Sequence, residues 1–128
     1  MIEIHAVTID AADPYELATW WSKATGLPLW GDCAPGDDEV AIRTHQDPFV
    51  LFIKVPEGKT VKNRVHLDVN GIDGSSRDEE VERLLGLGAT VHQDHRNPDG
   101  TGWVTMLDPE GNEFCVCRSQ AEKDAASA

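Results

Sequence analysis

The chain has 128 residues, 40% of them hydrophobic, and a formal net charge of −12, enough for one ordinary core and too few for two. So acidic a surface repels nucleic-acid phosphates and anionic lipid heads, which argues against both as partners and favours a cationic ligand only weakly. The opening MIEIHAVTID lacks the basic start of a signal peptide, no apolar run is long enough to span a bilayer, and three cysteines, Cys33, Cys115 and Cys117, form no disulfide framework, so a reducing cytoplasm is the expected compartment.

Taken in chain order, IEIHAVTI alternates and is rich in β-branched residues, so it reads as a strand. Asp13, Pro14 and Glu16 then supply a helix start, with Leu17, Trp20, Trp21 and Ala24 on one apolar face and Gly26 as the stop. Of the two tryptophans, at least one belongs to the core, because both cannot face inward equally. After a loop rich in Asp, Gly and Pro, EVAIRTH and FVLFIKV read as two more strands. The acidic CAPGDDE stretch within that loop reads as a solvated connection.

The second half repeats the plan. RVHLDV is a strand, Ser76 and Glu79 form a capping box, and Val81, Leu84 and Leu85 give the next helix its apolar face. Strands follow near ATVHQ, GWVTML and NEFCVC, separated by the turns NPDG and DPEG. His5 and His66 lie 61 residues apart and the helix-ending Gly26 and Gly88 lie 62 apart, so two tandem βαβββ-like units are expected. Neither sheet buries a face alone, so the fold class is α+β with curved mixed sheets. We expect a single domain over residues 1–118, with modules at about 1–57 and 62–118 and a flexible tail at 119–128.

In the last strand Glu113, Cys115 and Cys117 share one face, and Phe114 and Val116 the other. In RVHLDV, His66 and Asp68 face away from the helix-packing side. Trp103 belongs with Thr105 and Leu107 on a face able to stack on a flat ligand. His45, His92 and His95 read as exposed and Arg43 as a surface cation. No Walker loop, GxSxG elbow or HExxH stretch is present.

The phrases LATWWSKATGL, NRVHLDV and DPEGNEFCV, with a histidine in the first strand of each half, resemble the vicinal oxygen chelate superfamily, and within it the glyoxalase-like and bleomycin-resistance-like proteins. The resemblance covers residues 2 to 118 and implies paired modules around a cavity. In metal-dependent members a divalent ion such as zinc, nickel, manganese or iron is held there by the first and last strands of each module. His5 and His66 match two of those ligand positions. The other two, usually carboxylates, fall on Phe52 and Cys115. Phenylalanine cannot ligate, and its expected role is a hydrophobic wall. Cys115 can ligate as a thiolate, while Glu113 shares its face but sits one strand repeat away, about 6.6 Å.

These departures make ordinary glyoxalase I activity an unexpected outcome, since that chemistry needs a metal and a carboxylate that moves protons. The expected function is binding of a small organic molecule between the modules, lined by Phe52, Trp103, Cys115 and Asp68, with no metal. The alternative is a divergent lyase or isomerase in which His5, His66 and Cys115 hold an ion and Glu113 is the base. The resemblance also implies a homodimer.

Overall fold

The structure is a computed structural model that describes residues 1–127, and it divides into two compact units, Met1–Lys59 and Thr60–Ala128. The fold is α+β, and the described residues form two mixed sheets and three helices with no closed barrel. No helix among the described residues is long and apolar enough to cross a membrane.

The first unit contains β1 (Ala6–Ala11), α1 (Pro14–Thr25), β2 (Glu39–Ile42) and β3 (Phe49–Lys54). Its sheet runs β1-β3-β2, with β1 parallel and β2 antiparallel to the central β3. The helix begins where the Asp13 carboxylate accepts the Glu16 N–H at 3.2 Å and Pro14 fills the first turn. It ends at Gly26, whose φ of 74° lies in the left-handed region that a side chain disfavours. Pairing of Val7 with Val50, Ile9 and Val40 with Phe52, and Ile42 with Val50 sets all six on one face. Leu17, Ala18, Trp20 and Trp21 of α1 are buried over this sheet, and the two indoles meet edge to face at 5.1 Å, so both tryptophans are core.

The further strand that a full βαβββ unit would carry is reduced to a bridge. Leu29 pairs with Ile42, flanked by hydrogen bonds from Trp30 N–H to the Ala41 carbonyl and from Arg43 N–H to the Pro28 carbonyl. Pro28 has no N–H to extend the ladder, and the Gly- and Asp-rich loop then turns the chain away.

The second unit carries the complete motif: β4 (Leu67–Asn70), α2 (Arg77–Gly86), β5 (Thr90–Asp94), β6 (Val104–Leu107) and β7 (Glu113–Cys117). The sheet order is β4-β7-β6-β5. Leu67, Phe114 and Met106 align across the sheet, as do Val69, Val116 and Val104. Val104, Met106, Phe114 and Val116 of this face are buried with Val81 and Leu84 of α2, and Leu67 and Val69 are half-buried. Ser76 and Glu79 form the full reciprocal capping box at the start of α2.

Two expectations change here. Within the expected tail, residues form α3 (Gln120–Ser127). Ser119 Oγ accepts the Glu122 N–H at 3.2 Å, while Glu122 Oε2 accepts the N–H groups of Ser119 at 2.7 Å and Arg77 at 2.8 Å. One carboxylate thus caps two helix starts. Burial pushes its pKa up, but the N–H groups of Ser119 and Arg77 outweigh that and hold it below the usual value.

The repeat is also phased differently from the 61-residue histidine spacing. Odd-numbered residues of β1 and of β4 both lie on the helix-facing side, so the structural repeat is even there. Ala6 therefore shares the phase of His66, and His5 lies outside β1 altogether. Because side chains alternate with period two, a one-residue offset moves a group to the opposite face.

Candidate functional site

The face of the second sheet opposite α2 forms an open pocket of about 670 Å3, within the range of about 300–1,000 Å3 that small-molecule sites occupy. Its floor follows from the register. Asp68 pairs with Cys115, and Cys115 with Thr105, so the three side chains stand in a row across β4, β7 and β6. His66 lies two residues before Asp68 and falls on the same side. Glu113 and Cys117 flank Cys115 along β7.

The cluster at the centre is close-set. His66 Nδ1 lies 3.4 Å from Asp68 Oδ1 and 3.9 Å from Cys115 Sγ, and the Thr105 hydroxyl lies 3.5 Å from the same sulfur. Cys115 is buried, whereas the His66 and Asp68 side chains are 40% and 64% exposed. The ligating atoms of His66, Asp68 and Cys115 all fall within 4.8 Å of one another, and among the described residues no other such group of three donors occurs. Burial pushes the Cys117 thiol pKa up, helped by Asp68 and Cys115 and opposed by Lys123.

Trp103 forms one wall. It lies just before β6 rather than inside it, is 43% exposed, and stacks on His95 with ring centroids 4.6 Å apart and planes 25° from parallel. A bulge creates this pair. Val91 pairs with Met106 but Gln93 with Thr105, so His92 is an extra residue and every later position of β5 shifts by one. The shift sets His95 opposite Trp103, and the His95 N–H donates to the Trp103 carbonyl at 2.9 Å. With a continuous register Asp94 would stand there. Gly102 permits the close approach: its φ is +95° and a Cβ there would collide with the His95 carbonyl oxygen.

The loop between these strands is pinned by Arg77, a charged side chain only 5% exposed. Its Nη1 donates to the carbonyls of Gly100, Thr101 and Gly102 at 3.0–3.1 Å, and its Nε to Asp78 at 3.0 Å. Arg96 adds a chelate of the Asp94 carboxylate and reaches Asp78 at 3.2 Å. The hydrogen bonds from Arg96 hold Asp94 down to about 2.

The sequence-derived candidates therefore separate. Asp68, Trp103, Cys115, His66 and Glu113 all line the second unit's pocket. Phe52 is not a cavity wall: it is 0% exposed on the helix-facing side of β3, packed with Val40 and Ile9 as cross-strand neighbours. It belongs to the opposite face because its register phase matches Val116, not Cys115. His5 stands before β1 in the first unit, its ring edge-on to Phe49 at 5.0 Å. Glu113 is buried, and its carboxylate accepts the Asn63 N–H at 3.0 Å, which ties it to the approach to β4. His92, Gln93, His95, Lys62, Arg118 and Lys123 also line the pocket. The sequence reads His92 and His95 as exposed, and they are, but it places none of the six at a pocket, because neither the bulge nor α3 announces itself in the residue pattern.

The resemblance implies a divalent ion held by both modules, and only part of that set is present. The first unit's last strand, FVLFIK, offers no carboxylate, thiol or imidazole on either face. The second unit offers an imidazole, a carboxylate and a thiol, a set suited to zinc and its neighbours.

Two βαβββ-type units, one of them reduced, with a ligand-sized pocket on a sheet face, define the class of small α+β proteins to which this chain is to be compared. The chain belongs to the glyoxalase-like domain family of the vicinal oxygen chelate superfamily, the family match running over residues 6–117. No curated protein matches the sequence. Similar solved structures include a possible glyoxalase from Bacillus cereus, 18% identical with a TM-score of 0.66, covering 91% of this chain and 99% of that one. A lactoylglutathione lyase from Agrobacterium tumefaciens is 20% identical with a TM-score of 0.63, covering 90% and 92%. A glyoxalase/bleomycin resistance protein/dioxygenase family enzyme from Burkholderia phytofirmans PsJN is 16% identical with a TM-score of 0.67, covering 90% and 97%. At these identities the likeness is one of fold.

Proposed function

We propose that this protein binds a small organic molecule with a flat ring in the pocket of its second unit, and that it lacks ordinary glyoxalase I activity. The observation that carries the reading is the stacked Trp103–His95 wall beside the polar row of Asp68, Cys115 and Thr105. An aromatic wall supplies apolar area and ring stacking, and a few convergent polar groups supply orientation. Lys62, Arg118 and Lys123 line the same pocket, so the local charge runs against the acidic whole, and aromatic carboxylates are the first compounds to try. The second half of the proposal is supported by the FVLFIK strand, which has no carboxylate to serve a proton transfer, and by the Glu113 carboxylate being engaged with Asn63.

The test is a tryptophan-fluorescence titration with a panel of aromatic carboxylates, run beside a glyoxalase I assay with and without added divalent metals. Saturable quenching that disappears in Trp103→Ala, with no turnover, is the expected result. Absence of saturable quenching by the whole panel defeats the binding half, and metal-dependent turnover defeats the other.

The same reading includes a homodimer in a reducing compartment. Ile2, Ile4, Val61 and Val65 are exposed apolar side chains, a pattern that association of two copies would cover. The free thiols Cys33, Cys115 and Cys117 accord with reducing conditions. Light scattering at twice the chain mass is the expected observation; a monomer at all concentrations rejects it.

A further inference from the structure

We propose that His66, Asp68 and Cys115 form a site for a thiophilic divalent cation of the zinc type, held entirely within the second unit. This goes beyond the ligand reading and does not depend on it, because its probe is the ion alone. It shares His66 and Cys115 with the positions that the family resemblance implies but adds Asp68, so that all three donors come from the second unit and neither His5 nor any residue of β3 takes part.

The geometry favours a cation over the alternatives. Zinc bonds are about 2.0–2.1 Å to nitrogen, about 2.0–2.2 Å to oxygen and about 2.3 Å to sulfur. In a tetrahedron those lengths separate N and O donors by about 3.4 Å and N and S donors by about 3.6 Å. The observed separations are 3.4 Å for His66 Nδ1 to Asp68 Oδ1 and 3.9 Å for His66 Nδ1 to Cys115 Sγ. All three ligating atoms lie within 4.8 Å of one another, so closing the set asks the longer separations to shorten, and Asp68, at 64% exposed, has room to move.

A nucleophilic thiol triad fits less well. There the thiol and the carboxylate engage opposite ring nitrogens, so that the imidazole takes a proton on one side while being oriented from the other. Here both Cys115 and Asp68 approach the same nitrogen, Nδ1. An Nδ1–H shared between the two leaves that nitrogen unable to take the thiol's proton, whereas an ion between the three groups serves all of them. Sulfur and nitrogen donors exclude calcium and magnesium, which take oxygen ligands, and favour zinc, cobalt, nickel or copper.

The strands account for the preorganisation. His66 and Asp68 stand two apart on one side of the chain, and Asp68 is in register with Cys115 on the parallel β7. Thr105 beside the sulfur orients it from the third strand. On binding, the Cys115 thiol releases its proton to solvent and the thiolate donates its lone pair to the ion, with no change of oxidation state. All three donors line the pocket, so a fourth position on a bound ion would be left to water or to a ligand.

Cobalt(II) is the probe, added to the full chain after chelator treatment and desalting. The wild type is expected to bind one cobalt per chain, with a near-ultraviolet thiolate-to-cobalt charge-transfer band and visible bands of tetrahedral intensity, both displaced by zinc. Cys115→Ser abolishes the charge-transfer band. Asp68→Asn, at an exposed position that does not threaten folding, weakens binding by about tenfold or more, and His66→Ala does the same. His5→Ala and Cys117→Ser leave the band unchanged. A wild type without the band overturns the proposal, as does a band that survives Cys115→Ser or vanishes in Cys117→Ser. Loss of the band in His5→Ala overturns it too, because the ligand set would then span both units.

Discussion

The two units build nearly the same inner face and very different outer ones. Under α1 the sheet presents Val40, Ile42 and Phe52; under α2 it presents Val104, Met106, Phe114 and Val116, all buried. The opposite faces share no such chemistry. The first unit gathers Trp30, Phe49 and Arg43, with the indole edge-on to Phe49 at 5.2 Å and the guanidinium 5.7 Å above the indole. The second gathers His66, Asp68, Cys115 and Thr105. The helix-facing side is constrained by packing, where a lost methylene is felt throughout the core. The other side is constrained only by what it must hold, so that is where two copies of one motif are free to diverge.

The largest test of this contrast is Phe52→Ala beside Phe114→Ala. If both phenyl rings are helix-facing core, each truncation costs about 3–5 kcal/mol in urea or thermal unfolding. Leu51→Ala, one residue away but on the open face, costs clearly less. A Phe52→Ala loss under about 1 kcal/mol would return Phe52 to the role of a cavity wall and break the parallel between the units.

The helix starts sharpen the comparison further. The first helical residue is Pro14 in α1 and Arg77 in α2, both buried. Pro14 only fits the first turn, whereas Arg77 reaches three carbonyls of the loop that carries Trp103. Arg77→Ala leaves those acceptors without their donor and is expected to cost about 2–3 kcal/mol, with faster amide exchange through Gly100–Trp103. Stability within about 0.5 kcal/mol of wild type would show that the clasp is ornamental.

Next in size is a pair of half-exposed tryptophans, one in each unit. Trp103→Ala removes the stacking partner and is expected to weaken an aromatic ligand by about 0.5–1.5 kcal/mol, up to roughly tenfold. Trp30→Ala, packed against Phe49 and Arg43 instead, leaves the affinity unchanged. Equal losses in the two variants would contradict confinement of the ligand to the second unit.

Much of this was legible in the residues. Periodicity marked both units, the caps at Asp13 and Ser76 marked both helices, and alternation in NEFCVC separated Cys115 from Phe114 correctly. What failed was phase. An apolar strand such as FVLFIK has no polar alternation to fix which face is inward, so Phe52 takes its expected place from the family resemblance alone, and an alignment wrong by one inverts a strand. His95 reads correctly as exposed, but its place opposite Trp103 does not show in the sequence, because the bulge at His92 leaves no compositional trace. α3 was missed because SQAEKDAASA lacks a strong apolar face, and its capping depends on Glu122 meeting Arg77, 45 residues away.

The smallest expected effect concerns how the pocket's hairpin is held. The corresponding element of the first unit is the single Leu29–Ile42 bridge, whereas β5 and its loop carry the Arg96 network. Hydrogen bonds from Arg96 hold the Asp94 carboxyl near 2, and Asp78 also lies below its usual value, first through its bond to Arg77. A carboxyl depressed in the folded state contributes stability above its unfolded pKa and loses it as pH falls toward the folded one. The contribution should therefore be complete above about pH 4 and fade toward about pH 2. Since these groups are exposed, solvent and salt screen it and the effect stays small. Other carboxylates titrate over the same range, so the informative quantity is the difference in unfolding midpoint between wild type and Arg96→Gln. That difference is expected to be greatest near neutral pH, to shrink between about pH 4 and pH 2, and to shrink again in high salt. A difference that stays constant or grows in acid would mean that Arg96 stabilises the hairpin by packing its stem rather than by charge.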